Sequence, residues 1–233
     1  GIIHTMGCST DKVFDSRMVD YGPFATEVDN SAIKNEPMFF SSDLHYAYSR
    51  GGPITRAFIE ALPDEWENAV FDSRVHMLMP GWFPSIPGFH HDDVPRPRAP
   101  LGQHFGAAGQ PDYDNPRYHS RHILGLVNAD VAPTQFAIGE CPVSAVDDDD
   151  IIYRKWHLEV QALIDAGEVQ TVSVPDRHLI HFDCDAFHQG TEAVASGWRW
   201  FGRVSIDTER TDQFANEIRR QAQVYMGFPM QGW

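Results

Sequence analysis

The sequence is poor in cysteine. Only Cys8, Cys141 and Cys184 occur among its 233 residues. An odd number of widely spaced cysteines excludes a disulfide framework and does not match a zinc knuckle. Such thiols are typical of a reducing compartment, so we expect a cytoplasmic protein. A chain of this length can bury a sizeable core without crosslinks, and we therefore expect a single domain over residues 1–233.

Positive charge is also scarce. The chain has 18 Lys and Arg against 33 Asp and Glu, a formal net charge of −15. Nucleic-acid binding needs a basic face, and binding to an anionic membrane surface needs a polybasic segment, so neither partner is expected. Lysine is rarest among the basic residues, since only Lys12, Lys34 and Lys155 are lysines and the other fifteen are arginines.

Long apolar runs are absent as well. No stretch approaches the roughly 20 apolar residues of a membrane-spanning helix. No signal segment is recognisable at the start, where residues 1–5 precede Met6 and are expected to be a remnant of an expression tag. These five residues are left out of the fold prediction.

Strand-like patterns dominate from residue 71 onward. Strands are expected at 74–79, 122–128, 134–138, 169–174, 178–182 and 198–206, and helices at 53–61, 149–166 and 211–226. Short strands with flanking helices favour a mainly β fold of the jelly-roll type. The expected organisation is a helical or irregular flank (6–70), a β core (71–210) with a helical insertion (149–166), and a C-terminal helix and tail (211–233).

Two polar segments invite separate interpretations. The acidic run 147–150 could bind calcium, but a solvated helix N-terminus that complements the macrodipole is the favoured interpretation. Residues 96–117 are rich in Pro, Gly, Asp and Asn, which predicts a long loop that could cover a substrate.

Histidine, by contrast, is abundant, with twelve residues. Histidine is the commonest metal ligand in proteins. In segment 88–94, GFHHDDV, a histidine precedes an aspartate by two positions twice. Residues i and i+2 of an extended strand point to one face, so His90 with Asp92, or His91 with Asp93, could bind one ion. The alternative is that these histidines cap a turn.

His188 is the best candidate for a third ligand, because it follows a predicted strand and ends at a glycine turn. Two histidines and one carboxylate on one face of an octahedral ion leave three positions open. This is the facial triad of non-haem Fe(II) oxygenases, in which the open positions admit a co-substrate and O2.

The strand predicted around residues 197–206 adds a possible anion site. Arg199, Arg203 and Ser205 share its parity and should face one side. A buried guanidinium needs an anion, and its planar fork suits a carboxylate. Arg199, eleven residues after His188, could therefore hold an acid beside the metal.

Together these residues resemble the Fe(II)- and 2-oxoglutarate-dependent oxygenases, whose motif is His-x-Asp/Glu, a long interval, His, and then Arg or Lys. The matching positions are His90, Asp92, His188 and Arg199. The resemblance covers about residues 74–205 and implies a double-stranded β-helix, a cupin-like jelly roll. It also implies that His90, Asp92 and His188 are the metal-binding and catalytic residues, with Fe(II) as cofactor and 2-oxoglutarate and O2 as co-substrates.

Two assignments stay open within this resemblance. Phe89 favours His90 and Asp92 over His91 and Asp93, because an aromatic residue often precedes the first histidine in the family. The sequence Arg203-Val204-Ser205 resembles the Arg-x-Ser with which some members bind the far carboxylate of 2-oxoglutarate. Arg203 and Ser205 are therefore candidate co-substrate ligands beside Arg199, which has the more usual spacing.

The activity that the resemblance implies is hydroxylation of an unactivated C–H bond in a small molecule, or in an amino-acid or peptide side chain. 2-Oxoglutarate would be converted to succinate and CO2, and the presence of Asp92 argues against the halogenating branch of the family. The alternatives are a cupin-like dioxygenase or isomerase that does not use 2-oxoglutarate, and a non-catalytic β-sandwich binding module. The net charge is compatible with neutral or cationic substrates, and the sequence indicates no oligomeric state.

Overall fold

The computed structural model describes residues 11–96, 111–145 and 152–227. The helices are α1 (Asn30–Asn35), α2 (Leu44–Arg50), α3 (Pro53–Glu60) and α4 (Ile152–Asp165). The strands are β1 (Lys12–Ser16), β2 (Val19–Pro23), β3 (Met38–Phe40), β4 (Ser42–Asp43), β5 (Val70–Leu78), β6 (Trp82–Phe83), β7 (Arg121–Val127), β8 (Thr134–Val143), β9 (Gln170–Ser173), β10 (His178–Asp183), β11 (His188–Gly190), β12 (Gly197–Ile206), β13 (Glu217–Arg219) and β14 (Tyr225–Met226).

Two antiparallel sheets form the centre of the fold. The larger has six strands in the order β2-β10-β7-β12-β5-β4, and the smaller has the order β1-β8-β11 with β9 paired to β8. Apolar side chains from both sheets, among them Leu124, Phe136 and Phe182, pack together. This arrangement confirms the predicted fold class, a mainly β sandwich-type core with flanking helices. In the described residues, no helix is both long and apolar enough to cross a membrane.

Alternation along β12 separates two environments. Trp200 and Val204 pack in the cluster that also contains side chains of α1, α2 and α3. Arg199, Phe201 and Arg203 have the opposite parity and line a cavity on the other face of the sheet. Helix α3 comes very close to the sheet at Gly125, where an added Cβ would lie 2.9 Å from the Phe58 ring.

Helix α4 packs on the smaller sheet. Trp156 and Val160 share a buried cluster with Phe14 and Phe187. The His157 Nδ1 accepts a hydrogen bond of 2.9 Å from the backbone N–H of Phe89. The predicted helical insertion therefore supports the segment that carries His90 and Asp92.

The expected C-terminal helix over 211–226 is wrong. Strand β13 pairs with β3, and the backbone N–H groups of Ala215 and Asn216 both donate to the Ser41 carbonyl. Asn216 also has a φ of +49°, which interrupts a right-handed helix. Helical spacing would place Ile218 on one face with Phe214 and Tyr225, but Ile218 is 39% exposed, so this spacing does not mark a buried helix face.

The N-terminal flank also differs from the prediction. Residues 6–70 were expected to be helical or irregular, yet β1 pairs with β8 and β2 pairs with β10, so this flank adds a strand to each main sheet. The physical reason is that these short strands lie at sheet edges, where one exposed face weakens the apolar pattern. The acidic run 147–150 and most of the predicted long loop, residues 97–110, lie outside the described residues.

Candidate metal centre

His90 and His188 are joined through their backbones. The His90 N–H donates to the His188 carbonyl at 3.0 Å, and the His188 N–H donates to the His90 carbonyl at 3.2 Å. This isolated antiparallel bridge attaches the segment after β6 to strand β11. It brings residues that are distant in sequence side by side, with imidazole centroids 4.5 Å apart.

The two imidazoles are oriented in the same way. The Nδ1 of His90 lies 2.9 Å from the Gly88 carbonyl oxygen, and the Nδ1 of His188 lies 3.0 Å from that of Ala186. A carbonyl oxygen can only accept, so each Nδ1 donates its proton there and each Nε2 is the ring nitrogen that faces Asp92. Such an outer hydrogen bond is the usual support of a metal-binding histidine.

Asp92 completes the group. Its Oδ2 lies 3.0 Å from the His188 Nε2, and its Oδ1 lies 3.4 Å from the His90 Nε2. One ligand atom from each of the three residues lies within 4.8 Å of the others. Two imidazole nitrogens and one carboxylate form a donor set that fits a ferrous facial triad.

Arg203 supports the Asp92 carboxylate. Its Nη1 donates to Asp92 Oδ2 at 2.5 Å. Burial by itself would raise the pKa of Asp92, but His188 and Arg203 outweigh it and hold that pKa well below its usual range. Asp92 is therefore ionised, the form in which a carboxylate binds metal.

The alternative pair does not converge. The His91 Nδ1 lies 2.6 Å from the Tyr113 hydroxyl, and its ring centroid lies 3.9 Å from that of Phe187. Asp93 has a φ of +50° and accepts from Arg210 at 3.3 Å. The backbone bridge of His90 turns His91 to the opposite side, into the aromatic cluster around α4.

A cavity of about 310 Å³ opens beside the triad. The cavity-facing residues of β5 and β12 form one wall. Thr134 and Gly190 lie on the opposite sheet, and residues 84–86 with Gln223 and Tyr225 line the rest.

Arg199 lines this cavity and is 2% exposed. Its Nη2 donates to the Thr134 hydroxyl at 2.8 Å. No carboxylate of the described residues lies within 4.0 Å of it, and its Nε has no hydrogen-bond partner there. Burial lowers the pKa of this guanidinium to about 10, so it is charged at neutral pH without an anion beside it.

Ser205 does not lie on the cavity wall. Its hydroxyl lies 2.7 Å from the Nδ1 of His122, whose Nε2 lies 3.1 Å from the Ser120 hydroxyl. Ser120 in turn donates to the backbone carbonyl of Asp92 at 3.2 Å. The structure thus connects Ser205 to the metal-site backbone through a buried hydrogen-bond chain.

Two polar cavity residues of β5, Arg74 and His76, were not among the predicted site residues. Arg74 and His76 lie on the same face of β5 and line the cavity with Arg199. His76 is 4% exposed, and its Nε2 lies 3.0 Å from the Gln223 carbonyl. Burial, with the charges of Arg199 and Arg74, lowers the pKa of His76 to about 4. The sequence pattern could have indicated these residues, because Arg74 and His76 have the same parity in the strand predicted at 74–79 and should face one side.

A second group of ligand-type side chains lies nearby, formed by His119, Cys184 and Asp185. The Cys184 Sγ lies 3.4 Å from the His119 Nδ1. Burial, together with Asp185 and Asp183, raises the pKa of Cys184 to about 12, so the sulfur is a thiol. The His119 side chain is half exposed, whereas the side chains of His90 and His188 are largely buried.

No family model and no curated protein matches this chain. Among solved structures, EvdMO1 is similar over 84% of this chain, at 10% identity and a TM-score of 0.41, and this chain covers 48% of EvdMO1, about half its length. ThoJ in its apo form, a non-heme monooxygenase, is similar over 94% of this chain and 84% of its own, at 10% identity and a TM-score of 0.38. An N-substituted L-amino acid dioxygenase from Burkholderia ambifaria AMMD is similar over 80% and 75%, at 16% identity and a TM-score of 0.32.

Because these TM-scores are low, the comparisons do not decide the activity. The functional inference therefore rests on the side chains of the site, where His90, Asp92 and His188 form a candidate metal-binding group.

Proposed function

We propose that this chain is an Fe(II)- and 2-oxoglutarate-dependent oxygenase. It would hydroxylate a C–H bond of a small molecule or an amino-acid side chain and release succinate and CO2. One observation carries the proposal: Arg199 is a buried guanidinium on the wall of the cavity that His90, Asp92 and His188 also line, and no carboxylate of the described residues lies within 4.0 Å of it. A buried charge of this kind lowers the stability of the fold unless a ligand neutralises it.

The residues of the site would have different roles. His90, Asp92 and His188 would hold the metal. When bound, Fe(II) supplies open coordination positions at which a 2-oxo acid and O2 can react. Arg203 keeps Asp92 ionised and oriented, because its Nη1 donates directly to the Asp92 Oδ2.

Arg199 would pair with the far carboxylate of 2-oxoglutarate. The Thr134 hydroxyl lies 2.8 Å from Arg199 and would fix the direction of its fork. Pairing at Arg199 would also orient the co-substrate, because His90, Asp92 and His188 line the same cavity. Leu124 and Phe201 supply apolar wall that keeps water from the reacting C–H bond.

Binding of 2-oxoglutarate to the protein loaded with Mn(II), a redox-inert stand-in, tests the proposal by calorimetry. Losing a hydrogen-bonded charge partner corresponds to about 1.5–3 kcal/mol, so Arg199→Gln should weaken binding by about 10- to 100-fold. Arg154→Gln is the matched control, because Arg154 is an exposed arginine on α4. Wild-type protein with Fe(II), ascorbate and 2-oxoglutarate should then release succinate when a substrate is supplied.

Other outcomes identify other functions. Metal binding that depends on His188, together with no affinity for 2-oxoglutarate, would indicate a metalloenzyme that does not use this co-substrate. A His188→Ala variant that binds Mn(II) like the wild type would contradict the metal centre itself and favour a binding module.

A further inference from the structure

We propose that the same cavity selects a substrate with a monoanionic group, such as a carboxylate, which pairs with Arg74. This inference rests on the proposed function, because it assigns the part of the cavity that 2-oxoglutarate would not fill.

The strand register places Arg74 beside the co-substrate arginine. In the β5–β12 pair, Arg199 is opposite His76 and Phe201 is opposite Arg74. Arg74 and Arg199 are therefore diagonal neighbours on the cavity-facing side of the sheet, close enough to contact two parts of one bound assembly. They are not equivalent positions, because only Arg199 is bonded to Thr134.

Arg74 also lacks an anion. Its Nη1 donates to the Ser73 carbonyl at 2.7 Å and to the Phe39 carbonyl at 3.4 Å. Within the part of the chain that the structure describes, no carboxylate lies within 4.0 Å of its guanidinium. The carbonyls fix the side chain but do not neutralise its charge, so an incoming anion would be attracted there.

The nearby carboxylates are already paired. Asp92 accepts from Arg203, and Asp72 lies 3.7 Å from Arg203 while it also pairs with Arg210. Arg210 lies 3.3 Å from Asp93 as well. These three carboxylates contact Arg203 and Arg210, and none of them lies within 4.0 Å of Arg74 or Arg199.

The balance of positive and negative side chains around the cavity then indicates the charge of the substrate. Among the described residues around the cavity, four guanidiniums face three carboxylates, namely Arg74, Arg199, Arg203 and Arg210 against Asp72, Asp92 and Asp93. Arg219, whose charge also acts on Arg74, is paired with Glu217. A divalent metal and a dianionic co-substrate would cancel each other, so one positive charge stays unmatched. A monoanionic substrate would neutralise it, although the protein as a whole carries a formal charge of −15.

Benzoate and benzamide are suitable probes, since they share size and shape but differ in charge. Their affinities would be measured by calorimetry on protein loaded with Mn(II) and saturating 2-oxoglutarate. Benzoate should bind at least tenfold more tightly than benzamide, and Arg74→Gln should abolish that preference. Arg74→Lys should keep part of it, and the exposed control Arg154→Gln should keep all of it.

A benzoate preference that is absent in the wild type, or that survives in Arg74→Gln, would overturn the inference. The 2-oxoglutarate affinity of the same variants separates this failure from that of the proposed function. Loss of 2-oxoglutarate binding in Arg74→Gln but not in Arg199→Gln would make Arg74 the co-substrate residue, which refutes the inference and leaves the oxygenase intact. If 2-oxoglutarate does not bind at all, the proposed function fails, and the benzoate titration with Mn(II) alone still decides whether Arg74 binds anions.

Discussion

Arg203 and His188 share one oxygen of Asp92. The Arg203 Nη1 lies 2.5 Å from Asp92 Oδ2, and the His188 Nε2 lies 3.0 Å from the same atom. This relationship makes Arg203 a support for the metal-site carboxylate. Arg199, the other arginine of β12, has no carboxylate of the described residues within 4.0 Å, and it is the residue that we propose for the co-substrate.

Asp92→Asn should abolish measurable Mn(II) binding, whereas Asp93→Asn should leave it within about threefold of the wild type. The residue that supports a ligand is usually worth 10- to 100-fold in metal affinity, so loss of a ligand itself should exceed about 100-fold. Calorimetry on both variants compares their Mn(II) affinities, and the substitution is the same, Asp to Asn, at both positions. Equal losses in the two variants would show that the His91 and Asp93 pair also takes part.

Gly88→Ala should weaken Mn(II) binding by about tenfold. Gly88 has a φ of +116°, an added Cβ would lie 3.3 Å from the His157 ring, and its carbonyl holds the His90 Nδ1. Moving that carbonyl would misorient His90. Gly81→Ala is the control, because Gly81 also has a positive φ, +91°, but its carbonyl holds no ligand. Unchanged metal affinity in Gly88→Ala would show that the His90 orientation does not depend on this carbonyl.

Arg199→Met should raise the free energy of unfolding of the metal-free protein by about 1–3 kcal/mol, because it replaces an unpaired buried charge by an apolar side chain of similar length. Arg203→Met should lower it by about 3 kcal/mol, since it leaves Asp92 without its partner. Urea denaturation of the two variants gives both values. A destabilised Arg199→Met would mean that this arginine serves the fold.

Acid should reduce stability through His76. Its folded pKa of about 4 lies below the usual 6.5, so between these values the unfolded chain takes up a proton and the folded protein does not. The stabilising contribution is therefore complete above pH 6.5 and is lost as the pH falls toward 4. At pH 4.5 this loss is about 2–3 kcal/mol.

His76→Phe should remove that part of the difference in unfolding free energy between pH 7 and pH 4.5. His45→Phe, at an exposed position on α2, should keep the wild-type difference. Denaturation curves at the two pH values decide the matter, and identical pH dependence in all three proteins would refute the role of His76.

The fold was predictable where one face of a strand is buried. The strands that became β5, β7 and β12 are mostly buried, because they lie inside the larger sheet and one side packs on helices. The C-terminal segment has no such constraint, and β13 is set by pairing with β3, far away in the sequence. Its helix-like spacing was therefore coincidental.

The residues of the candidate site could be proposed from the sequence, but their hydrogen-bond and charge partners could not. His90, Asp92, His188 and Arg199 were candidates from residue chemistry, strand parity and the family resemblance, and all of them line the cavity. The environment of Ser205 depends on His122, a residue on a neighbouring strand, and parity by itself cannot give that contact. Arg74 was not predicted, because its significance is that no carboxylate of the described residues lies within 4.0 Å of it, which only a folded structure reveals.

The backbone bridge between His90 and His188 has a consequence for metal exchange. Main-chain hydrogen bonds hold both imidazoles in place, so binding of the proposed ion would need little ordering of the chain. In proteins whose metal drives folding, a chelator also denatures the chain. Here a chelator would strip the ion reversibly, and the amide protons of His90 and His188 would stay protected from solvent exchange throughout.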